Sequence, residues 1–110
     1  MRFKIIRPFV MFSSDSKKKK AKTHPHIVIG IKDDKYVSMS VTHSNKVKGK
    51  KTVPLPDNIE RSYMVITPYV KKKEEYSTPR YQKDYRISSR DRLIAEKYAR
   101  SYKEKRVKKK

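Results

Sequence analysis

The segment HPHIVIGIKDDKYVSMSVTHSN, residues His24–Asn45, contains two apolar runs joined by a turn. Ile27–Ile31 is rich in β-branched residues, and Tyr36–Val41 alternates strictly between apolar and polar side chains. Asp33-Asp34 separates the two runs with residues that tight turns favour. The pattern predicts a β-hairpin in which the three apolar residues of the second strand share one face.

Three further stretches carry strand signals. Phe3, Ile5 and Phe9 alternate with Arg2, Lys4 and Ile6 closely enough to predict an N-terminal strand. Arg7-Pro8 predicts a bend or a sheet edge, because proline cannot donate to a ladder. Thr52–Pro56 is predicted to be short and extended, since each proline restricts the residue before it. Ser62–Val70 alternates again, with Pro68 marking its edge or end. We expect the charged residues 71–85 to be rich in turns.

The C-terminal part predicts one helix, over about residues 89–105. Ser88 followed by Asp91 approximates a capping box, and a carboxylate suits the positive end of the helix dipole. An apolar stripe at helical spacing is predicted to pack on the sheet, and its members are Leu93, Ile94, Tyr98 and Tyr102. Residues 106–110 are predicted to form a basic tail.

The length and composition of the chain limit its fold. A chain of 110 residues has room for one domain, and the absence of cysteine excludes disulfides and thiolate metal sites. We predict an α+β, mainly β fold over residues 1–105. It is a small SH3-like antiparallel barrel or curved sheet with one C-terminal helix and mobile basic loops. An OB-like barrel is the main alternative.

Positive charge dominates the chemistry of the chain. Lys and Arg number 31 against 11 Asp and Glu, for a net charge of +20. Positive charges in this excess repel one another, which indicates a polyanionic partner. That partner is either nucleic acid or an anionic membrane surface. Eight tyrosines interleaved with the basic residues favour nucleic acid, because bases stack on aromatic rings. Residues 1–12 lack the features of a signal peptide, and no apolar run would span a bilayer, so we predict a cytoplasmic protein without a membrane partner.

Two lysine blocks stand out, KKKKAK at Lys17–Lys22 and KVKGKK at Lys46–Lys51. A solvated loop is the alternative to a phosphate-binding role for the first block. For Tyr76, Tyr81 and Tyr85, packing on the sheet is the alternative to stacking on bases. The predicted nucleic-acid-binding residues are Lys17, Lys18, Lys19, Lys20, Lys22, Lys46, Lys48, Lys50, Lys51, Arg80, Arg86, Arg90 and Tyr81.

Few residues are arranged for catalysis. His24 and His26 have no third ligand at suitable spacing, so no metal or other cofactor is predicted. Metal-free RNA cleavage remains, since RNA supplies its own 2′-OH as the nucleophile and the protein needs only a base, an acid and hydrogen-bond donors. Thr42, His43 and Ser44 are the candidate catalytic residues.

The order of these segments resembles the MazF/PemK-like toxin superfamily. Pro25 with Ile27–Ile31 is similar to that family's proline and apolar strand, and Thr42 with Ser44 is similar to the Thr-Ser pair that closes its next strand. A C-terminal helix beginning SSRDRL completes the likeness. The resemblance implies an SH3-like barrel with a terminal helix and metal-free, sequence-specific endoribonuclease activity.

The chain departs from that pattern at two places. The family's arginine ahead of the proline is replaced by the stretch Lys22–His24, and His43 interrupts the Thr-Ser pair. These departures and the large positive charge favour binding over cleavage. We therefore predict a small RNA-binding protein of a phage or mobile element that grips RNA or a host nucleoprotein, such as an RNA-guided nuclease that it would inhibit.

Two other functions and two other partners stay open. The first alternative function is a metal-free MazF/PemK-like endoribonuclease toxin, and the second is a structural component of a ribonucleoprotein. DNA is an alternative to RNA as the bound nucleic acid, and a homodimer is compatible with the sequence.

Overall fold

The structure is a computed structural model and describes residues 3–14, 23–42, 49, 51–57, 62–78 and 87–108. Within these residues the chain forms six strands, one short 3-10 helix and one α-helix. The strands are β1 (Lys4–Ser14), β2 (Thr23–Lys32), β3 (Lys35–Thr42), β4 (Thr52–Leu55), β5 (Ser62–Val65) and β6 (Tyr69–Lys72). The 3-10 helix covers Lys73–Glu75 and the α-helix, α1, covers Ser89–Lys108. This α+β, mainly β architecture confirms the predicted fold class.

The predicted hairpin forms the centre of the sheet. Strands β2 and β3 pair antiparallel, and Lys32 lies opposite Lys35 across the two-residue turn. Asp33 in that turn has a φ of 56°, in the left-handed region that aspartate tolerates better than most residues. The three alternating apolar residues of β3 are buried on one face, as predicted.

The sheet has the order β1-β2-β3-β5-β4, and β6 also pairs with β3. Strands β5 and β6 replace the single strand predicted over Ser62–Val70. The chain breaks at Ile66–Pro68, because a proline cannot donate to the ladder, and then continues as β6 to Lys72. The first half of β3 pairs with β6, and its last two residues pair with β5.

Strand β1 is longer than predicted and bent where predicted. Ile5 lies opposite Gly30 and Phe9 opposite Val28, so a bulge at Arg7-Pro8 inserts extra residues into β1. Beyond the bulge, the ladder continues to the pair Ser14 and Thr23. The two serines at the end of β1 therefore belong to the sheet.

The sheet curves until its edge strand β1 contacts the segment that follows β6. Phe12 and Ser77 form an isolated antiparallel bridge, with N–H···O distances of 2.9 and 2.8 Å in the two directions. This bridge joins β1 to the segment that follows the 3-10 helix. A single bridge is less than a closed ladder, so among the predicted alternatives the structure is the curved sheet with one C-terminal helix.

Helix α1 packs on the sheet face that carries the main apolar core. The core residues are Phe3, Ile27, Ile29, Val37, Met39, Val41, Leu55, Met64, Ala95 and Ala99. Ser88 caps the helix, since its Oγ accepts the Asp91 N–H at 3.0 Å. The helix runs to Lys108, past the predicted end. Among the residues that the structure describes, no helix is long and apolar enough to cross a membrane.

The predicted packing stripe of α1 was wrong at Leu93, which is 65% exposed. Asp91, Ala95 and Ala99, spaced four residues apart, define the buried face instead. Leu93 stands about 200° around the helix from Ala95, at ~100° per residue. Ile94, Tyr98 and Tyr102 pack against the core from the margins of the buried face, as predicted.

Candidate nucleic-acid interface

Several chain segments leave the sheet at one end, which we call the basic end and define by Ser14, Thr23 and Thr42. Ser14 pairs with Thr23, so the chain departs from β1 and enters β2 at the same point. Strand β3 is antiparallel to β2, and its last residue, Thr42, therefore lies at this end too. Strand β5 begins beside it, with Tyr63 opposite Thr42.

Two lysine-rich segments start from the basic end. Residues 15–22 join Ser14 to Thr23, and residues 43–50 follow Thr42. Together the two segments contain eight lysines and a single acidic residue, Asp15. The register of the sheet therefore brings together the attachment points of both lysine blocks, which are separated by a whole hairpin in the sequence.

Of the predicted site residues, Thr42, Lys51 and Arg90 are described by the structure. The remaining ones lie outside the described residues, and they are His43, Ser44, Lys17, Lys18, Lys19, Lys20, Lys22, Lys46, Lys48, Lys50, Arg80, Arg86 and Tyr81.

The three described residues lie at two different places. Thr42 is half-buried at the basic end. The Arg90 side chain is 68% exposed, and its Nη1 lies 3.6 Å from Asp57 Oδ1, just past the end of β4 nearest Thr42. Lys51 is exposed at the opposite end of β4, where its carbonyl accepts the Ile66 N–H at 3.1 Å. The register thus brings Thr42 and Arg90 to one end of the sheet but not Lys51.

Lys71 was not predicted as a site residue, and it reaches the basic end from β6. Its Nζ donates a hydrogen bond to Ser13 Oγ at 3.0 Å and lies 5.8 Å from the centroid of the Tyr69 ring. An ammonium is thereby held one residue before the end of β1. Val70 is followed by three lysines, so no local alternation marks Lys71 as a strand residue.

A buried polar network lies on the sheet face away from α1. His26 Nδ1 is 3.1 Å from Ser38 Oγ, which is 2.7 Å from the Tyr76 hydroxyl. His26 and Ser38 are fully buried and Tyr76 is 7% exposed. The network fixes Tyr76, and with it the chain after the 3-10 helix, against the sheet. Ser38 is too enclosed to meet a substrate, so we assign the network a structural role, and Tyr76 packs rather than stacking on bases.

The two histidines of the HPH segment have different environments. They lie on the same face of β2 because they are two residues apart. His24 is exposed and opposite Ser13, whereas His26 is enclosed by the network. Among the described residues, no three histidine or carboxylate side chains come close enough together to hold a metal ion.

Aromatic rings and lysines lie side by side along β3 and β6. Tyr36 contacts Phe9 and Tyr76 edge-on, with centroid separations of 5.8 and 5.6 Å. Lys73 Nζ lies 5.2 Å from the centroid of the half-buried Tyr36 ring, and Tyr69 makes an edge contact with His26. Tyr36 and Tyr69 therefore pair accessible aromatic surface with a neighbouring ammonium.

One carboxyl near the start of α1 has a perturbed pKa. Asp91 is 2% exposed, and this burial raises the pKa of its carboxyl above the ordinary value. The Asp57 backbone N–H, which donates to Asp91 Oδ1 at 3.3 Å, acts in the opposite direction, as does the nearby Arg90. The Asp91 side chain thus ties the helix start to the turn after β4 rather than completing a capping box.

Comparison of the chain with protein-family models, with curated proteins and with solved structures found no match. The resemblance to the MazF/PemK-like superfamily therefore stays a prediction from sequence.

Proposed function

We propose that this protein binds RNA through the lysine-rich segments that start from the basic end. The observation that carries the proposal is the shared attachment of residues 15–22 and 43–50 at Ser14, Thr23 and Thr42. Eight lysines against one acidic residue favour phosphate contacts, and each contact releases counterions from the nucleic acid.

The accessible aromatic surface along β3 and β6 favours single-stranded RNA over a duplex. Tyr36 and Tyr69 are half-buried and each has a lysine Nζ within 5.8 Å of its ring centroid. Unstacked bases pack on such rings, while the neighbouring ammonium meets the phosphate backbone. The RNA is free or is part of a ribonucleoprotein, such as an RNA-guided nuclease in a cell that carries a phage or mobile element.

The test is the affinity for a single-stranded RNA as a function of salt, read by fluorescence anisotropy. A variant with Lys17–Lys20 all changed to Gln should bind more weakly and should lower the salt slope by roughly 3, at about 0.7 per phosphate contact. A matched variant changes Lys103, Lys105, Arg106 and Lys108 to Gln. Equal slopes for the two variants would refute a role specific to the basic end, and a DNA strand of the same sequence measures the preference for RNA.

A metal-free endoribonuclease is the second candidate function. Thr42 lies at the basic end, where residues 43–50 start, and this position favours the candidate together with the family resemblance. The test is incubation with a long mixed-sequence RNA in EDTA, followed by a denaturing gel. Discrete products that disappear in His43→Ala would support cleavage. Intact RNA together with a salt-sensitive shift on a native gel would support RNA binding without cleavage.

A further inference from the structure

An open groove lies between the bulged part of β1 and the exposed face of α1. Its volume is about 660 Å³, and its apolar floor is formed by Ile5, Ile6 and Leu93. Leu93 is 65% exposed, and it is the one large hydrophobic side chain fully on the surface among the residues that the structure describes. A second open groove shares Leu93, Glu96 and Arg100 with the first, so the two grooves form one continuous surface that includes this leucine.

The rim of this surface is positively charged. Of the described side chains that line the two grooves, four are basic, Arg7, Arg92, Lys97 and Arg100, and one is a carboxylate, Glu96. Arg92 is held in place because its Nε donates to the Pro8 carbonyl at 3.2 Å. Arginines fixed beside an apolar floor suit carboxylates, which they bind in bidentate geometry.

We propose that this groove binds an acidic, amphipathic segment of a partner protein. Apolar side chains of the segment would pack on Leu93, Ile5 and Ile6, and its carboxylates would pair with the basic rim. The inference is independent of RNA binding, since the groove lies on β1 and α1 and does not include the basic end. The geometry is that of an amphipathic helix laid in a hydrophobic groove.

Two other occupants fit the surface less well. Among the described residues, neither groove is lined by an aromatic ring, which is the main platform on which the bases of single-stranded RNA stack. A second copy of this chain would bring a charge of +20 against another +20, whereas an acidic partner gains from the same field.

The experiment uses the full chain and two labelled peptides of identical composition. In the first peptide, leucines form one helical face and glutamates flank them; in the second, the same residues are scrambled. Binding is measured by anisotropy in about 0.3 M KCl, where the Debye length is below ~10 Å and non-specific attraction is screened. We expect the amphipathic peptide to bind at least ~10-fold more tightly than the scrambled one.

Two variants test whether the peptide binds in the groove. Leu93→Ser and Arg100→Glu should each weaken binding of the amphipathic peptide by about 10-fold. Lys35→Glu makes the same charge change at an exposed position on β3 and should have a much smaller effect. Because Leu93 and Arg100 are both exposed, the variants should keep the circular dichroism spectrum and melting temperature of the parent.

Three results would overturn the proposal. Equal affinity for the two peptides would show general charge attraction. Unchanged affinity in Leu93→Ser would place the peptide elsewhere. Self-association that sedimentation velocity detects in the parent and not in Leu93→Ser would assign the groove to a second copy of the chain.

Discussion

At the residue scale, Gly30 is a position in the central hairpin where only a residue without a side chain fits. A Cβ at this position would lie 2.3 Å from a ring carbon of Phe3 and 2.7 Å from the Lys4 carbonyl oxygen. Phe3 is a core residue, 4% exposed, and cannot retreat without opening the core. We predict that Gly30→Ala lowers the free energy of unfolding by about 1–3 kcal/mol, measured by urea denaturation. An unchanged midpoint and slope would contradict this close approach.

Ser38 is the second residue whose role is testable alone, because it contacts both His26 and Tyr76. Ser38→Ala removes both hydrogen bonds from a buried site and should cost about 1–3 kcal/mol of stability. Tyr76→Phe removes the bond between the Tyr76 hydroxyl and Ser38 but keeps the one between Ser38 and His26, so it should cost less. Denaturation of the two variants checks this order, and a larger loss for Tyr76→Phe would mean that Ser38 does not link the network.

The pH dependence of the helix start is a prediction at the element scale. The raised pKa of Asp91 means that the folded protein keeps a proton, in a window above pH 3.8, that the unfolded chain has already lost. The free energy of unfolding therefore falls as the pH rises through that window, up to the raised pKa.

Asp91→Asn keeps an oxygen that can accept the Asp57 N–H but cannot ionise. We expect the stability of this variant relative to the parent to increase across the window and then to level off. Thermal melts at a series of pH values provide the measurement. A constant difference between the two proteins would show that Asp91 has an ordinary pKa.

Local patterns predicted most of the elements because their signals are contained in neighbouring residues. The β2–β3 hairpin followed from alternation around Asp33-Asp34, and the helix start followed from the serine at position 88. The features that were predicted wrongly depend on residues that are distant in the sequence. Lys71 joins a strand because β3 offers it a place in the ladder, and Leu93 is exposed because two alanines bring the helix onto the sheet by its other face.

At the scale of the whole molecule, the candidate site was predicted only in part. The net charge predicted a polyanionic partner, and the sequence located the lysine blocks. The link from His26 through Ser38 to Tyr76 spans separations of 12 and 38 residues, which no local pattern reveals. The common origin of both lysine segments similarly depends on the register of β1, β2 and β3, and that register becomes visible only in the folded sheet.

The proposed RNA-binding role depends most directly on whether the two lysine segments act as one surface. We would measure the salt dependence of binding to a hexauridylate, which is too short to wrap the protein. The variants change Lys17–Lys20 to Gln, or Lys46, Lys48 and Lys50 to Gln. If the segments share the strand, either variant should reduce both the affinity and the slope, by roughly 0.7 per lost contact. If one variant leaves the affinity within about twofold and the slope unchanged, its segment does not contact the strand, and the two segments do not form one RNA-binding surface.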